Sequence, residues 1–198
     1  MVDRIARVFG LHVADFLVMA GQPVPDDLAP LDAKASSIVD ELVSHVVRLE
    51  AEQRRRVRQY AQSLPQQDRG EYASMLPAYG QYDPSFGAVI AQMLGIRNLS
   101  WSSSAKILFR LSGIGPLAAS TVGAIGHGRK ELSPELLVGF ATVLAVRADD
   151  LAAVFGIVLA NGTPQVSPVA TDVAELIWDV RRLTADQVRQ VCDAAKRN

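Results

Sequence analysis

Arg97, Lys106, Arg110, Arg129 and Lys130 are the only charged side chains between positions 84 and 130, a stretch of 47 residues without one Asp or Glu. The segments on either side are acidic: nine basic against twelve acidic side chains up to residue 83, and six against nine from 131 onward. The net charge of −1 for the 198-residue chain therefore hides a segregation. Cations without opposing carboxylates attract a polyanion, and phosphate contact is the chemistry they suggest. A core segment with few charges of either sign is the plainer reading. Other reactive residues are sparse. Cys192 is the single cysteine, and His12, His45 and His127 lie far apart in sequence, so no metal and no cofactor is expected. Asp26-Asp27 and Asp149-Asp150 adjoin helix starts, where carboxylates favour the helix dipole. There is no nucleophile–base pair and no phosphate loop, so an enzyme is not expected.

The elements that must position these cations are helices. Ile5, Val8, Phe9, Phe16, Leu17 and Ala20 recur at three- and four-residue spacing, as do Val39, Leu42, Val43, Val46 and Leu49. No stretch alternates long enough to argue a strand. Ser100 before Trp101, Ser133-Pro134-Glu135, and the capping-box spacing of Thr184 and Gln187 mark helix starts. With 49% hydrophobic residues the chain can bury a core, and no apolar run approaches 18 residues. A soluble cytoplasmic, nucleoid-associated protein is the expectation.

An internal repeat organises the chain. "ARVFGLHVADFLVMAG" (6–21) aligns with "ATVLAVRADDLAAVFG" (141–156) at an offset of 135, and 39–57 aligns with 173–191 at an offset of 134. Residues 86–140 have no copy. Residues 63–85, with three prolines, two glycines and three tyrosines, read as a boundary whose aromatics lie against a surface. The predicted organisation is all-α, with four parts: an N-terminal helical part (1–63), a linker (64–85), a five-helix unit (86–160) and a C-terminal helical hairpin (161–198). The repeated tails, 37–62 and 171–196, are candidates for a homodimer interface, or for packing on each other within one chain.

The segments "LSWSSSAKILFRLSG", "STVGAIGHGRK" and "SPELLVGFATVLAVRADDL" carry a resemblance. In this order they resemble the Cro/CI-type (XRE) helix-turn-helix regulators common in actinobacteria, over about 70 residues. The resemblance implies five helices, the second and third forming a DNA-binding pair, and double-stranded DNA as partner of a homodimeric transcription regulator. It places Ala119, Ser120 and Thr121 at the groove-facing start of the third helix. It places His127, Arg129 and Lys130 on the backbone beyond it, Ser102 on a phosphate at the second helix's start, and Arg97, Lys106 and Arg110 in the wider field. Val122 and Ile125 face inward. The groove face lacks arginine, glutamine and asparagine, so phosphate and shape readout with strong salt dependence is expected. The competing class is a helix-turn-helix-like module that binds another protein, such as an antitoxin or accessory factor.

The remaining residues have plainer readings. Trp101 and Trp178 are expected in core or interface packing. "EQRRRVRQY" (52–60) is expected to be a solvated face, His12 and His45 surface or capping residues, and Cys192 a small core residue.

Overall fold

A computed structural model of the chain describes residues 4, 6, 8–68, 85–159 and 165–198. Most of the expected linker, with its three tyrosines, lies outside the described residues. Ten α-helices are defined among those described, with no strand among them: α1 (Val13–Met19), α2 (Ser36–Val46), α3 (Ala51–Ser63), α4 (Phe86–Ile96), α5 (Trp101–Ser112), α6 (Ala119–Gly126), α7 (Pro134–Leu144), α8 (Ala148–Phe155), α9 (Pro168–Val180) and α10 (Ala185–Lys196). None is long and apolar enough to cross a membrane.

The caps are the ones the sequence signals. Ser100 accepts from the Ser103 amide at the start of α5, and Ser133 accepts from Leu136 ahead of Pro134 in α7. Thr184 and Gln187 close a reciprocal box at α10. Glu50 and Gln53 close the same box at α3, at the repeat-equivalent positions. The repeat extends to backbone geometry. Gly21 and Gly156, 135 positions apart, are both left-handed (φ 66° and 64°), and so are Gly10 and Ala145 (φ 64° and 54°). Beyond α1 and α8 the closing bonds match as well, Gln22 N–H to Leu17 C=O at 2.8 Å and Ile157 N–H to Ala152 C=O at 2.9 Å.

The repeated hairpins pack on each other within one chain. The α2 helix lies on α10 and α3 lies on α9, so each hairpin grips the other across an approximate two-fold axis. Leu42, Val43, Val46, Val57, Val173, Ile177, Val180, Val188 and Val191 are all buried there. At about 1.5–3 kcal/mol for each fully buried side chain of this size, they outweigh ion pairs at the rim, which contribute about 0–1 kcal/mol each. The apolar faces proposed for a dimer are therefore consumed inside the monomer, and the homodimer interface expected of them is not available there.

"EQRRRVRQY" departs from its expected role. Arg54 is buried on Asp172 (2.8 Å), and Arg58 is half-buried between Glu175 (2.9 Å) and Asp179 (2.6 Å). Only part of that stretch, including Arg55 and Arg56, is solvated. The α3–α9 seam uses the rest.

Helices α4–α8 stand on this bundle and share its hydrophobic cluster. α5 contacts α2, α6 and α7; α4 contacts α6 and α7; α7 contacts α8 and α9; and α1 lies on α4.

Candidate nucleic-acid interface

The α6 helix is eight residues long and is held from beneath. Val122 and Ile125 are buried, as expected. Trp101, at the start of α5, lies under two glycines of α6. A Cβ on Gly126 would come within 2.9 Å of the indole and 3.1 Å of the Ala91 methyl, whereas one on Gly123 would meet the ring at an ordinary 3.6 Å. On the α4 side, a Cβ on Gly87 would fall 1.8 Å from the Ile125 carbonyl oxygen. Small residues in α6 are thus partly a packing requirement. Trp101 is a spacer, which accords with its expected packing role.

The outer side of α6 is open. Ser120 is exposed, and Ala119, Thr121 and Ala124 are half-buried. Ala118 occupies the N-cap without a side-chain bond, so the amides of Ala119 and Ser120 are not capped by a side chain. At the other end His127 is exposed, Gly128 turns left-handed (φ 65°), and the Arg129 and Lys130 amides both donate to the Ala124 carbonyl (2.8 and 3.1 Å). Those bonds fix the exit turn, while both cationic side chains are exposed and make no ion pair among the described residues. At 1.5 Å per residue α6 spans roughly 12 Å, about one major-groove width, between Ser120 and this pair.

Six of the ten residues assigned to DNA therefore gather around α6: Ala119, Ser120, Thr121, His127, Arg129 and Lys130. The others do not join them. Arg97 is fully buried. Its guanidinium makes two 2.7 Å bonds to Asp15 and donates to the carbonyls of Met93 (3.0 Å) and Leu144 (2.6 Å). It clamps α1 to the ends of α4 and α7, and it cannot reach a phosphate.

Lys106 and Arg110 both pair with Asp40 of α2, Lys106 at 3.0 Å. At about 100° per residue they project from the side of α5 roughly opposite Trp101 and Leu108, away from α6. Ser102 is exposed, but the turn that carries it is docked on α2, where Ser100 N–H donates to Ser36 Oγ and Ser103 Oγ to the Ser36 carbonyl, both at 3.1 Å. It is not an open anion site. The acid-free segment is thus not acid-free in space, because Asp15 and Asp40 reach it from 66 to 82 residues away. Only a sequence signal that paired distant segments would have found those acids.

One further expectation changes. His12 occupies the N-cap of α1 without capping it; its ring stacks on Trp178 at 3.6 Å, with Arg181 3.6 Å from the same indole on the opposite face. Burial, reinforced by the charge of Arg97, holds the His12 pKa down to about 4. Trp178 is thereby a packing centre between the α1 and α9 parts, as an interface residue should be. Burial likewise lowers Arg181, to about 10, which leaves it charged at neutral pH.

Compared with known proteins, the chain matches no family model, no curated protein and no solved structure.

Proposed function

We propose that the chain is a DNA-binding regulator whose α5 and α6 act as a helix-turn-helix within the five-helix unit α4–α8, with α6 entering the major groove. One observation carries this reading. The inner face of α6 is locked by Trp101, Gly126 and Ile125, while its outer face ends in two exposed cations, Arg129 and Lys130, that no described carboxylate neutralises. Ser120 and Thr121 offer hydroxyls to base edges or phosphate, and the uncapped first-turn amides favour an anion. Base contacts of the bidentate kind are missing, so affinity rests on the backbone and on groove shape.

The structure alters the strength expected of that electrostatic attraction. Of the five cations in the acid-free segment, Arg97 is buried, and Lys106 and Arg110 share Asp40 on the side of α5 turned away from α6, so two remain beside α6 per chain. Each phosphate neutralised contributes about 0.9 to the logarithmic salt slope, so two give a slope near 1.8 and an affinity loss of about twelvefold between 50 and 200 mM salt. Five would give a loss of about five-hundredfold.

The test is fluorescence anisotropy with a labelled random duplex across that salt range, for wild type and an Arg129→Ala/Lys130→Ala double variant. Binding at 50 mM, the shallow slope per bound chain, and a flattened slope in the variant support the proposal. No binding at 50 mM, or superimposable curves for the two proteins, ends it.

A further inference from the structure

Across the approximate two-fold axis the two hairpins differ at several sets of equivalent positions, and one of these sets carries titratable groups on both sides. On one side Arg58 of α3 sits between Glu175 and Asp179, which are one turn apart on α9, at 2.9 and 2.6 Å. Applying the 134-residue offset, the equivalents on the other side are Cys192 of α10 facing Glu41 and His45, one turn apart on α2. Where one half carries a built-in cation between two acceptors, the other half presents three possible metal donors. Their ligand atoms all lie within 4.8 Å of one another.

We propose that Glu41, His45 and Cys192 form a binding site for a borderline-soft divalent cation of the zinc class, so that a bound ion takes the place that the Arg58 guanidinium fills in the other hairpin. Residues four apart on a helix share a face, so Glu41 and His45 reach a common centre without distortion of α2. Cys192 closes the centre from the facing helix and is buried, while Glu41 is exposed and His45 half-buried. The site therefore has an apolar floor and an open mouth.

The donor set decides the metal. A thiolate and an imidazole with one carboxylate select zinc-like ions over magnesium or calcium, and three protein ligands leave a fourth tetrahedral position for water. Bonds of about 2.0–2.3 Å around a tetrahedral ion hold ligand atoms about 3.3–3.8 Å apart. Side-chain rotation closing the trio by roughly 1 Å would reach that geometry. On metal uptake the Cys192 S–H bond is replaced by a sulfur–metal bond, and the proton goes to solvent. Lys196 is the built-in competitor. Its Nζ lies 2.8 Å from Glu41 and 3.5 Å from Asp193, so it keeps Asp193 as a partner when Glu41 turns to the ion. This site is separate from α6 and does not rest on the DNA reading.

The experiment is titration of the reduced full-length chain with Co²⁺, followed by displacement with Zn²⁺. The expected result is one cobalt per chain, with a thiolate-to-cobalt charge-transfer band that zinc abolishes. Cys192→Ser should lose the band. His45→Gln, at a half-exposed position and verified as folded by circular dichroism, should weaken zinc binding by at least about tenfold. Lys196→Gln should tighten it. Absence of the band in wild type, one metal per two chains, or unchanged zinc affinity in folded His45→Gln overturns the proposal.

Discussion

Replacing Arg97 with methionine separates its structural role from the phosphate-binding role its sequence context suggests. The change removes two 2.7 Å charge-assisted bonds and leaves Asp15, itself fully buried, with an uncompensated charge. Removing one partner of a buried ion pair costs about 3–5 kcal/mol, because the remaining charge stays desolvated. For a domain of this size each kcal/mol shifts the melting temperature by about 2–4 °C, so a loss of roughly 6–20 °C is expected. Asp15→Leu with Arg97→Met removes both charges. What then remains unmet is chiefly the Leu144 carbonyl, 2.6 Å from the lost guanidinium, at about 1–3 kcal/mol. The double variant should therefore be more stable than Arg97→Met alone, although it carries one more substitution. Urea unfolding of the wild type, both single variants and the double variant yields the coupling directly. Duplex binding by the double variant, measured where it is folded, should keep the wild-type salt slope. An Arg97→Met protein within about 1 kcal/mol of wild type, with a salt slope reduced by about 0.9, would mean that the guanidinium faces a phosphate, and the clamp argument would fail.

Two further results follow from the packing. His12 is neutral in the folded chain down to about pH 4, whereas its unfolded value is 6.5, so its contribution to stability is intact above pH 6.5 and declines as pH falls from 6.5 toward 4. Burial chiefly sets that window, Arg97 and Arg181 lower the pKa further, and Asp15 and Asp179 oppose them. His12→Phe keeps an aromatic on Trp178, and its urea midpoint should fall less than that of wild type between pH 7 and 4.5; equal falls would contradict the assignment. In α6, Gly126→Ala should destabilise the protein and weaken duplex binding, since its methyl meets both Trp101 and Ala91, while Gly123→Ala should be tolerated. Matching melting temperatures for the two variants would show that Trp101 does not fix the helix.

Much of the scaffold is legible in the sequence because its determinants are local. Serine caps, Pro134 and the Thr184–Gln187 box act within one turn, and the repeat announces two copies of a hairpin that must bury similar faces. The candidate site is less legible because charge was counted along the chain, while neutralisation acts through space. Asp40 is 66 and 70 residues from Lys106 and Arg110, and Asp15 is 82 from Arg97. The repeat does not reveal the second pairing either. Asp150, the mate of Asp15, pairs locally with Arg147 at 3.5 Å, whereas the Arg97 that captures Asp15 lies in the uncopied part. His12 takes the place of Arg147 in the first copy, and a stacked imidazole there leaves Asp15 to the guanidinium.

Among the described residues the chain with duplicated hairpins has a single candidate groove helix, because α6 lies in the uncopied segment 86–140. In the second copy α8 packs on α7, but in the first copy α1 packs on α4 and is locked there by Arg97. The two hairpins spend their apolar faces on each other and form a pedestal, so α1 contributes by holding α4. The α4 helix in turn approaches α6 at Gly87 and Ile125, closely enough that no side chain fits between them. Close approach also limits what α6 can present: Gly123 and Gly126 face Trp101 and Val122 and Ile125 face the core, leaving few outward positions, none of them a long polar side chain. Under the proposed DNA-binding reading, discrimination between duplexes rests on the shape of the groove that admits so slim a helix, and affinity on the cations at its exit.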